Sequence, residues 1–308
     1  MTTSPCACLA PRSGLVLDVA SAGGIVRAPR RPPGWRAPGP SPSGWGDAAL
    51  RPRAGEDLCW LAGDWRILQK LDGHRWSLDD LVTAWFAAET VAEESPRHYI
   101  DLGCGIGSVL LLVAWRLPLV RAIGVEAQAV SFGLAQRSIA GNDVGTRCAV
   151  RLGDLRDPAV VPEGAIFDLV TGTPPYLPPG TSRESLRVQC GPCRIEHRGG
   201  IEDYCAAAAR LLVPGGWFVT CAGGTQSERV HAAARAAGLR VVRSRDVVPR
   251  VGKAPLLAVH ALQRVGVASS SCAGASQRVA PLPSLTVRDA HGAWTPEFRA
   301  LRRDMGMP

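Results

Sequence analysis

The sequence predicts an α/β fold: a doubly wound, mostly parallel, seven-stranded Rossmann-like sheet behind an N-terminal extension read as disordered. Three observations predict it. From about residue 96, short apolar strand patterns alternate with helical ones, which argues for parallel strands joined by crossover helices. A glycine-rich turn, Asp101-Leu-Gly-Cys-Gly-Ile-Gly107, joins an apolar strand to an apolar helix. Three successive strand candidates then end on acids: Asp101, Glu126 and Asp154.

Residues 1–54 hold nine prolines and no periodic apolar pattern. Such a segment cannot bury enough surface of its own to offset its ordering entropy. Its Arg-rich, acid-poor composition also suits an organelle transit peptide, which leaves cytoplasm, mitochondrion and plastid open. Residues 55–95 read as a lead, in which Ser77-Leu-Asp-Asp80 resembles a capping box before a helix running to Val91. After the break at Pro96, the first strand lies in "HYIDL". Further strands are expected at Ala122–Val125, Ala149–Leu152, Phe167–Thr171, Trp217–Cys221, Leu239–Val242 and Leu256–Leu262. Helices are expected at Val109–Trp115, Val130–Ala140, Ile201–Leu212 and Ser227–Ala237, the last capped by Thr225-x-x-Glu228 and ended by Gly238. The last two strands have no helix between them, so one must run antiparallel. Residues 96–264 form the sheet domain, 265–284 a linker and 285–308 a short structured coda.

Composition excludes several classes. The longest apolar run, Val109–Trp115, is stopped by Arg116 and is too short to span a membrane. The ten cysteines are scattered through a chain of 308 residues, which fits a reducing compartment. The net charge is +8, carried by 33 Arg and 2 Lys. Codon bias and selection for a phosphate-pairing guanidinium both account for that skew. By segment the net charge is +5 over 1–54, −6 over 55–182 and +9 over 183–308.

The glycine turn carries chemistry. Gly103, Gly105 and Gly107 let the backbone turn tightly and approach a ligand. Their G-x-G-x-G spacing, led by an acid, differs from the dinucleotide fingerprint. Asp101 suits a cationic amino-acid moiety better than a pyrophosphate. Glu126 is placed for the two hydroxyls of a ribose, and Asp154 for an adenine amino group. A cofactor with all three parts is S-adenosylmethionine. A second constellation, Thr173-Pro-Pro-Tyr176, follows a strand end where two prolines force an extended turn. The Thr173 side chain and Pro174 carbonyl can accept from a planar amino group, Pro175 stiffens the turn, and Tyr176 can stack on a flat ring. Orientation toward a methyl sulfonium then needs no strong base.

Asp101–Gly107 with Thr173–Tyr176 resembles the class I S-adenosylmethionine-dependent methyltransferases whose fourth motif is Asn-Pro-Pro-Tyr, with Thr173 in place of Asn. Those enzymes methylate exocyclic adenine amines or the side-chain amide of glutamine. The segments at 67–85, 194–219 and 247–255 are similar to the tRNA1(Val) adenine-N6 methyltransferase family. That resemblance covers about 58–264. It implies that Gln69 and Asp79 line the substrate or cofactor mouth, that Arg194, Glu196 and His197 belong to a substrate-side loop, and that Arg250 and Lys253 contact nucleic acid. It implies N6 methylation of adenine in tRNA or another structured RNA, with glutamine-amide methylation of a translation protein, or a cofactor- or RNA-binding pseudoenzyme, as alternatives.

Two features stand outside this reading. Cys190-Gly-Pro-Cys193 has the spacing of a redox pair, and with His197 offers three zinc ligands, but no second Cys pair completes a tetrahedral set, so no metal is expected. Arg240, Arg243, Arg245, Arg250 and Lys253, with Arg183, Arg187, Arg194 and Arg198, form a basic third suited to RNA phosphates or simply to solvent.

Overall fold

The computed structural model describes residues 23–161, 164, 166–178, 180, 189–264 and 280–308. Arg183, Arg187 and most of the expected linker lie outside the described residues, as does the first part of the N-terminal extension.

Seven strands make the central sheet: β4 (His98–Leu102), β5 (Arg121–Glu126), β6 (Cys148–Leu152), β7 (Phe167–Gly172), β8 (Leu212–Gly223), β9 (Leu239–Val248) and β10 (Leu257–Arg264). Their spatial order is β9-β10-β8-β7-β4-β5-β6. All neighbours are parallel except β10, which is antiparallel to both β8 and β9, as the missing helix requires. Two short strands, β11 (Ala280–Pro281) and β12 (Leu285–Thr286), lengthen the sheet to nine by pairing with β9.

Strand alternation splits the core between two faces. Tyr99, Leu169, Val219, Val259 and Ala261 point to one face, covered by α1 (Leu78–Thr90), α2 (Ser108–Arg116) and α3 (Ala129–Gly141). Ile100, Leu102, Val170, Phe218 and Leu262 point to the other, covered by α5 (Ile201–Leu211) and α6 (Ser227–Ala236). A single turn, α4 (Cys190–Arg194), precedes α5. Every residue of α2 from Ser108 to Ala114 is buried, as an all-round apolar helix demands. In α1, Ser77 N–H donates to Asp80 Oδ2 at 2.8 Å, the acidic half of the expected capping box.

The structure departs from the sequence reading in three places. First, residues 23–54 are ordered against the domain. Ahead of the sheet stands a hairpin, β2 (Glu56–Ala62) with β3 (Trp65–Lys70), and β1 (Ile25–Val26) pairs in parallel with β2. Arg31 lies over the rings of Trp35 and Trp60, at 4.9 and 4.2 Å. Trp45 fills the space over Gly141, where a Cβ would fall 2.5 Å from the indole. The entropy argument counted only what this segment buries against itself; it borrows the domain's surface instead. Second, α6 begins after Gln226, not Thr225, and no side chain caps it. Gly238, at φ +72°, ends it as expected. Third, the coda is part of the core. Thr295 caps α7 (Pro296–Asp304) by accepting from Phe298 N–H at 3.1 Å, and the chain then buries Met305 and Met307. Gly306 carbonyl accepts from Gly63 N–H at 2.8 Å, tying the C-terminus to the hairpin turn.

Candidate active site

The C-terminal ends of parallel strands are where doubly wound sheets bind ligands. There a crevice of about 110 Å³ opens between the loops after β4, β5, β6 and β7. Gly103, Gly105, Glu126, Asp154, Thr173, Pro174, Pro175, Tyr176 and Asp79 all line it. Residues separated by up to 97 positions in the chain thus meet in one site.

Each expected site residue has a definite place. Gly103, Gly105 and Gly107 all hold positive φ, at +61°, +56° and +86°. Gly107 does not line the crevice; it is the left-handed N-cap of α2 and packs on Ala135. Over Gly105 a Cβ would meet nothing closer than His74 Cδ2, at 4.0 Å, which leaves room for a ligand. At Gly103 a Cβ would fall 2.2 Å from the Tyr204 hydroxyl, and at Gly172 2.6 Å from Tyr204 Cδ1. Two glycines therefore admit the Tyr204 ring from α5 into the wall.

Glu126 is 5 % exposed and accepts from two backbone amides, Gln128 N–H at 2.6 Å and Gly105 N–H at 2.8 Å. Burial pushes its pKa up despite those bonds. Asp101 is 1 % exposed and stands just before the glycine loop, beneath the crevice lining. Its Oδ1 accepts from Thr171 Oγ1 at 2.6 Å, and Thr171 Oγ1 lies 2.7 Å from the Tyr99 hydroxyl. With Asp101 ionised, the single Thr171 proton goes to it, so Tyr99 donates to Thr171. Asp101 Oδ2 is buried with no partner. Burial first, with the charges of Asp80 and Glu126, pushes Asp101 up to about 7, while the Thr171 bond opposes the shift. Burial and the Asp79 charge push Asp80 up to about 8. Asp154 is held by its neighbour Arg156, Nη2 to Oδ2 at 2.6 Å and Nε to Oδ1 at 2.9 Å, a pair that must open if Asp154 is to accept from an adenine.

Thr173 is half-buried at the crevice wall. The Tyr176 hydroxyl lies 2.7 Å from Cys221 Sγ, and the Tyr176 carbonyl accepts from Gln226 Nε2 at 2.8 Å. The ring is thus anchored at its far end, and Tyr176 is part of the crevice lining.

Other expected residues lie elsewhere. Gln69 is buried at 1 % exposure, away from the crevice; its Oε1 accepts from Trp76 N–H at 2.9 Å and holds the loop that carries His74. Arg194 is exposed outside the crevice, where its carbonyl accepts from Leu177 N–H at 3.0 Å. Glu196 pairs with Arg229 at 2.6 Å, and His197 is exposed beside it. Arg250 and Lys253 occupy the turn between β9 and β10, exposed at the same edge of the sheet as the crevice but not lining it. Arg243 and Arg245 are not a free phosphate-binding face: they lie over Trp217 and Trp85, and Arg245 also pairs with Glu297.

Sequence reading missed His74, Gln128 and Tyr204, which also line the crevice, as does Arg198, read there only as part of the basic third. The only signal for Tyr204 was the pair of glycines that make room for it. No group of three or more His, Cys, Asp or Glu residues suited to a metal occurs among the described residues, and none of their helices is long and apolar enough to cross a membrane.

No family model matches the chain. It is similar to the release factor glutamine methyltransferase of Caulobacter vibrioides, 30 % identical over 199 residues, covering 59 % of this chain and 65 % of that one. It is also similar to the tRNA1(Val) (adenine(37)-N6)-methyltransferase of Porphyromonas gingivalis, 30 % identical over 140 residues, covering 44 % and 53 %. The matches thus span less than two thirds of either relative's own length. A solved structure from Agrobacterium tumefaciens, described as a predicted O-methyltransferase, superposes with a TM-score of 0.55 at 20 % identity over 75 % of this chain and 98 % of that one. Fold and relatives define the class: the chain has the class I S-adenosylmethionine-dependent methyltransferase architecture. The names of its relatives include a release factor glutamine, a tRNA adenine and 4-amino-L-phenylalanine as methyl acceptors. The residues present fit the cofactor. An unpartnered buried carboxylate oxygen stands before the glycine loop, open space lies over Gly105, and Glu126 sits at the next strand end.

Proposed function

We infer that the protein is an S-adenosylmethionine-dependent N-methyltransferase whose acceptor is a planar amino group, namely the N6 amine of adenine in tRNA or another structured RNA. The observation that carries this reading is the one crevice lined on one side by Gly103, Gly105 and Glu126 and on the other by Thr173–Tyr176. When bound, the cofactor supplies an electrophilic methyl group on a sulfonium. Asp101 and the glycine turn hold its amino-acid end, Glu126 its ribose and Asp154 its adenine. Thr173 Oγ1 and the Pro174 carbonyl accept the two amine hydrogens, and Pro175 keeps that carbonyl from turning away. Tyr176, fixed at its hydroxyl by Cys221, offers its ring face to the base. Holding the nitrogen lone pair in line contributes most of the acceleration, and no strong base is required. The adenine must leave its stack to enter. Arg194, Arg250 and Lys253 contact phosphates around the rim.

A glutamine amide is also a planar NH₂, and the Caulobacter relative favours it by matching over a longer stretch than the tRNA methyltransferase does. The adenine is favoured by the segments at 67–85, 194–219 and 247–255, which resemble the tRNA1(Val) adenine-N6 methyltransferase family, and by the net charge of +9 over residues 183–308. Purified protein with methyl-labelled S-adenosylmethionine, total RNA and a release factor decides between them. Label in RNA is expected; label in the release factor replaces this reading with the second. Cofactor binding without transfer identifies a pseudoenzyme. Thr173→Asn is expected to keep or raise the activity, and its complete loss overturns the place given to Thr173.

A further inference from the structure

A second cavity, a groove of about 420 Å³ between the β2–β3 hairpin and α3, plays no part in the reaction above. Three cations line it, Arg53, Lys70 and Arg137, against one acid, Glu56. Glu56 is buried and its carboxylate is already satisfied. Lys70 Nζ donates to it at 3.2 Å, Arg137 Nη1 at 2.7 Å and the Arg53 backbone N–H at 2.9 Å. The groove therefore keeps two positive charges in excess. Arg137 is mostly buried and is held by Glu56 and the Arg51 carbonyl, which makes it a fixed charge in the floor. Lys70 is about one third exposed and uses one of its three ammonium donors on Glu56, leaving two. Arg53 is exposed and enters no ion pair among the described residues.

The rest of the lining leaves room for a ligand. Beside Gly133 of α3 an added Cβ would meet nothing within 4 Å. Val130, 43 % exposed, gives the groove an apolar wall. The groove is also continuous with the crevice. Lys70 lines the groove and His74, four residues on, lines the crevice. Gln128 lines the crevice and the next residue, Ala129, lines the groove. Four residues of chain span at most about 14 Å, so the two openings are neighbours around the first turn of α3.

We propose that this groove is an RNA-binding site, which takes the sugar–phosphate backbone beside the nucleotide that enters the crevice. Arg53 and Lys70 meet its phosphates, Arg137 supplies a fixed positive field behind them, and Val130 offers a ribose an apolar surface. Cations so placed bind a polyanion by releasing its counterions. Continuity with the crevice favours RNA over an acidic protein segment, because a nucleic-acid backbone carries a charge at every nucleotide on either side of the target base. The occupant rests on the RNA acceptor inferred above; the charge of the groove does not.

The test measures binding of total tRNA to the full-length protein by fluorescence anisotropy over a range of salt concentrations. Gly133→Glu and Gly133→Gln each replace a helical glycine by a better helix former in open space, so neither should lower the melting temperature. The glutamate also stands four residues before Arg137 and competes for it. Gly133→Glu is expected to weaken tRNA binding about 5- to 10-fold and to reduce the log–log salt slope by about 1, whereas Gly133→Gln keeps the slope. Arg53→Gln should reduce the slope by about 1. Binding of S-adenosylhomocysteine should be unchanged in all three. A salt slope that Gly133→Glu and Arg53→Gln leave unchanged overturns the site, as does a loss confined to binding of a release factor. Methyl transfer is read separately. RNA methylation whose KM is unmoved by Gly133→Glu overturns the groove and leaves the proposed function standing. Groove-dependent tRNA binding without methyl transfer to RNA overturns the proposed function and leaves the groove standing.

Discussion

Gly103 shows how one missing side chain serves two purposes. Its φ of +61° is a conformation that L side chains adopt only with strain, and its Cα faces the Tyr204 hydroxyl. Gly103→Ala is therefore expected to destabilise the fold by roughly 1–3 kcal/mol and to weaken S-adenosylhomocysteine at least about 10-fold. Adding Tyr204→Phe should restore part of the lost melting temperature, because it removes the atom that clashes. Glu126→Gln tests the opposite case. The carboxylate holds two loop amides at once, whereas an amide keeps one acceptor and adds donors that find none. Binding of S-adenosylhomocysteine, measured calorimetrically, should fall about 10- to 100-fold, and the melting temperature should fall with it, because one buried loop amide loses its acceptor at a cost of roughly 1–3 kcal/mol. Glu126 was legible in the sequence because a strand end plus an acid is a local pattern. Tyr204 and His74 were not, because nothing near them in the chain marks a position that only the packing of α5 and of the loop after β3 creates.

The β2–β3 hairpin is the element the sequence hid most effectively. Charge disguised it: Glu56 and Asp57 stand in a strand, where acids are uncommon. Each is buried only because cations reach it from elsewhere. Arg75 grips Asp57 with two bonds, at 2.9 and 3.0 Å, and Arg27 adds a third at 2.8 Å. Lys70 and Arg137 do the same for Glu56, at 3.2 and 2.7 Å. Burying such acids without these partners would be expensive. The strap laid across the hairpin contributes in turn. Trp45→Ala opens the space over Gly141 and should lower stability by roughly 1–3 kcal/mol, less than a fully buried indole because Trp45 is half-buried. Denaturant unfolding, with an unchanged slope, would measure it; no change would mean that residues 23–54 do not stabilise the domain.

Across the whole molecule, charge is sorted by depth as well as by position along the chain. Asp80 and Asp101 are carboxyls whose folded-state pKa lies above the unfolded value of 3.8. The folded state therefore binds more protons than the unfolded one between about pH 4 and the folded values near 7 and 8. The stability they confer is complete below that window and declines as pH rises through it, by up to roughly 1.4 kcal/mol per pH unit for each carboxyl. Asp101→Asn should flatten this decline, seen as a smaller fall in denaturation midpoint from pH 5 to pH 8. Basic charge behaves differently. Arg243 and Arg245 are taken up by tryptophans and, for Arg245, by Glu297, whereas Arg250 and Lys253 stand exposed in the β9–β10 turn, where the proposed function has them meet phosphates. Replacing both with Gln should weaken RNA binding and reduce its log–log salt slope by about 2, while binding of S-adenosylhomocysteine stays unchanged.

The sequence by itself determined the strand and helix alternation, the antiparallel β10, the glycine turn with its acids and the Thr-Pro-Pro-Tyr loop. These are periodicities and strand-end patterns written within a few residues of one another. Tertiary structure alone decided that the proline- and arginine-rich residues 23–54 would lie ordered on the hairpin, that Met305 and Met307 would close the core, and that Tyr204, His74 and Cys193 would wall the crevice. Each of these depends on surface or space supplied by a segment far away in the chain. Burial, ion pairing and close packing are properties of the folded neighbourhood, and no local window of sequence contains them.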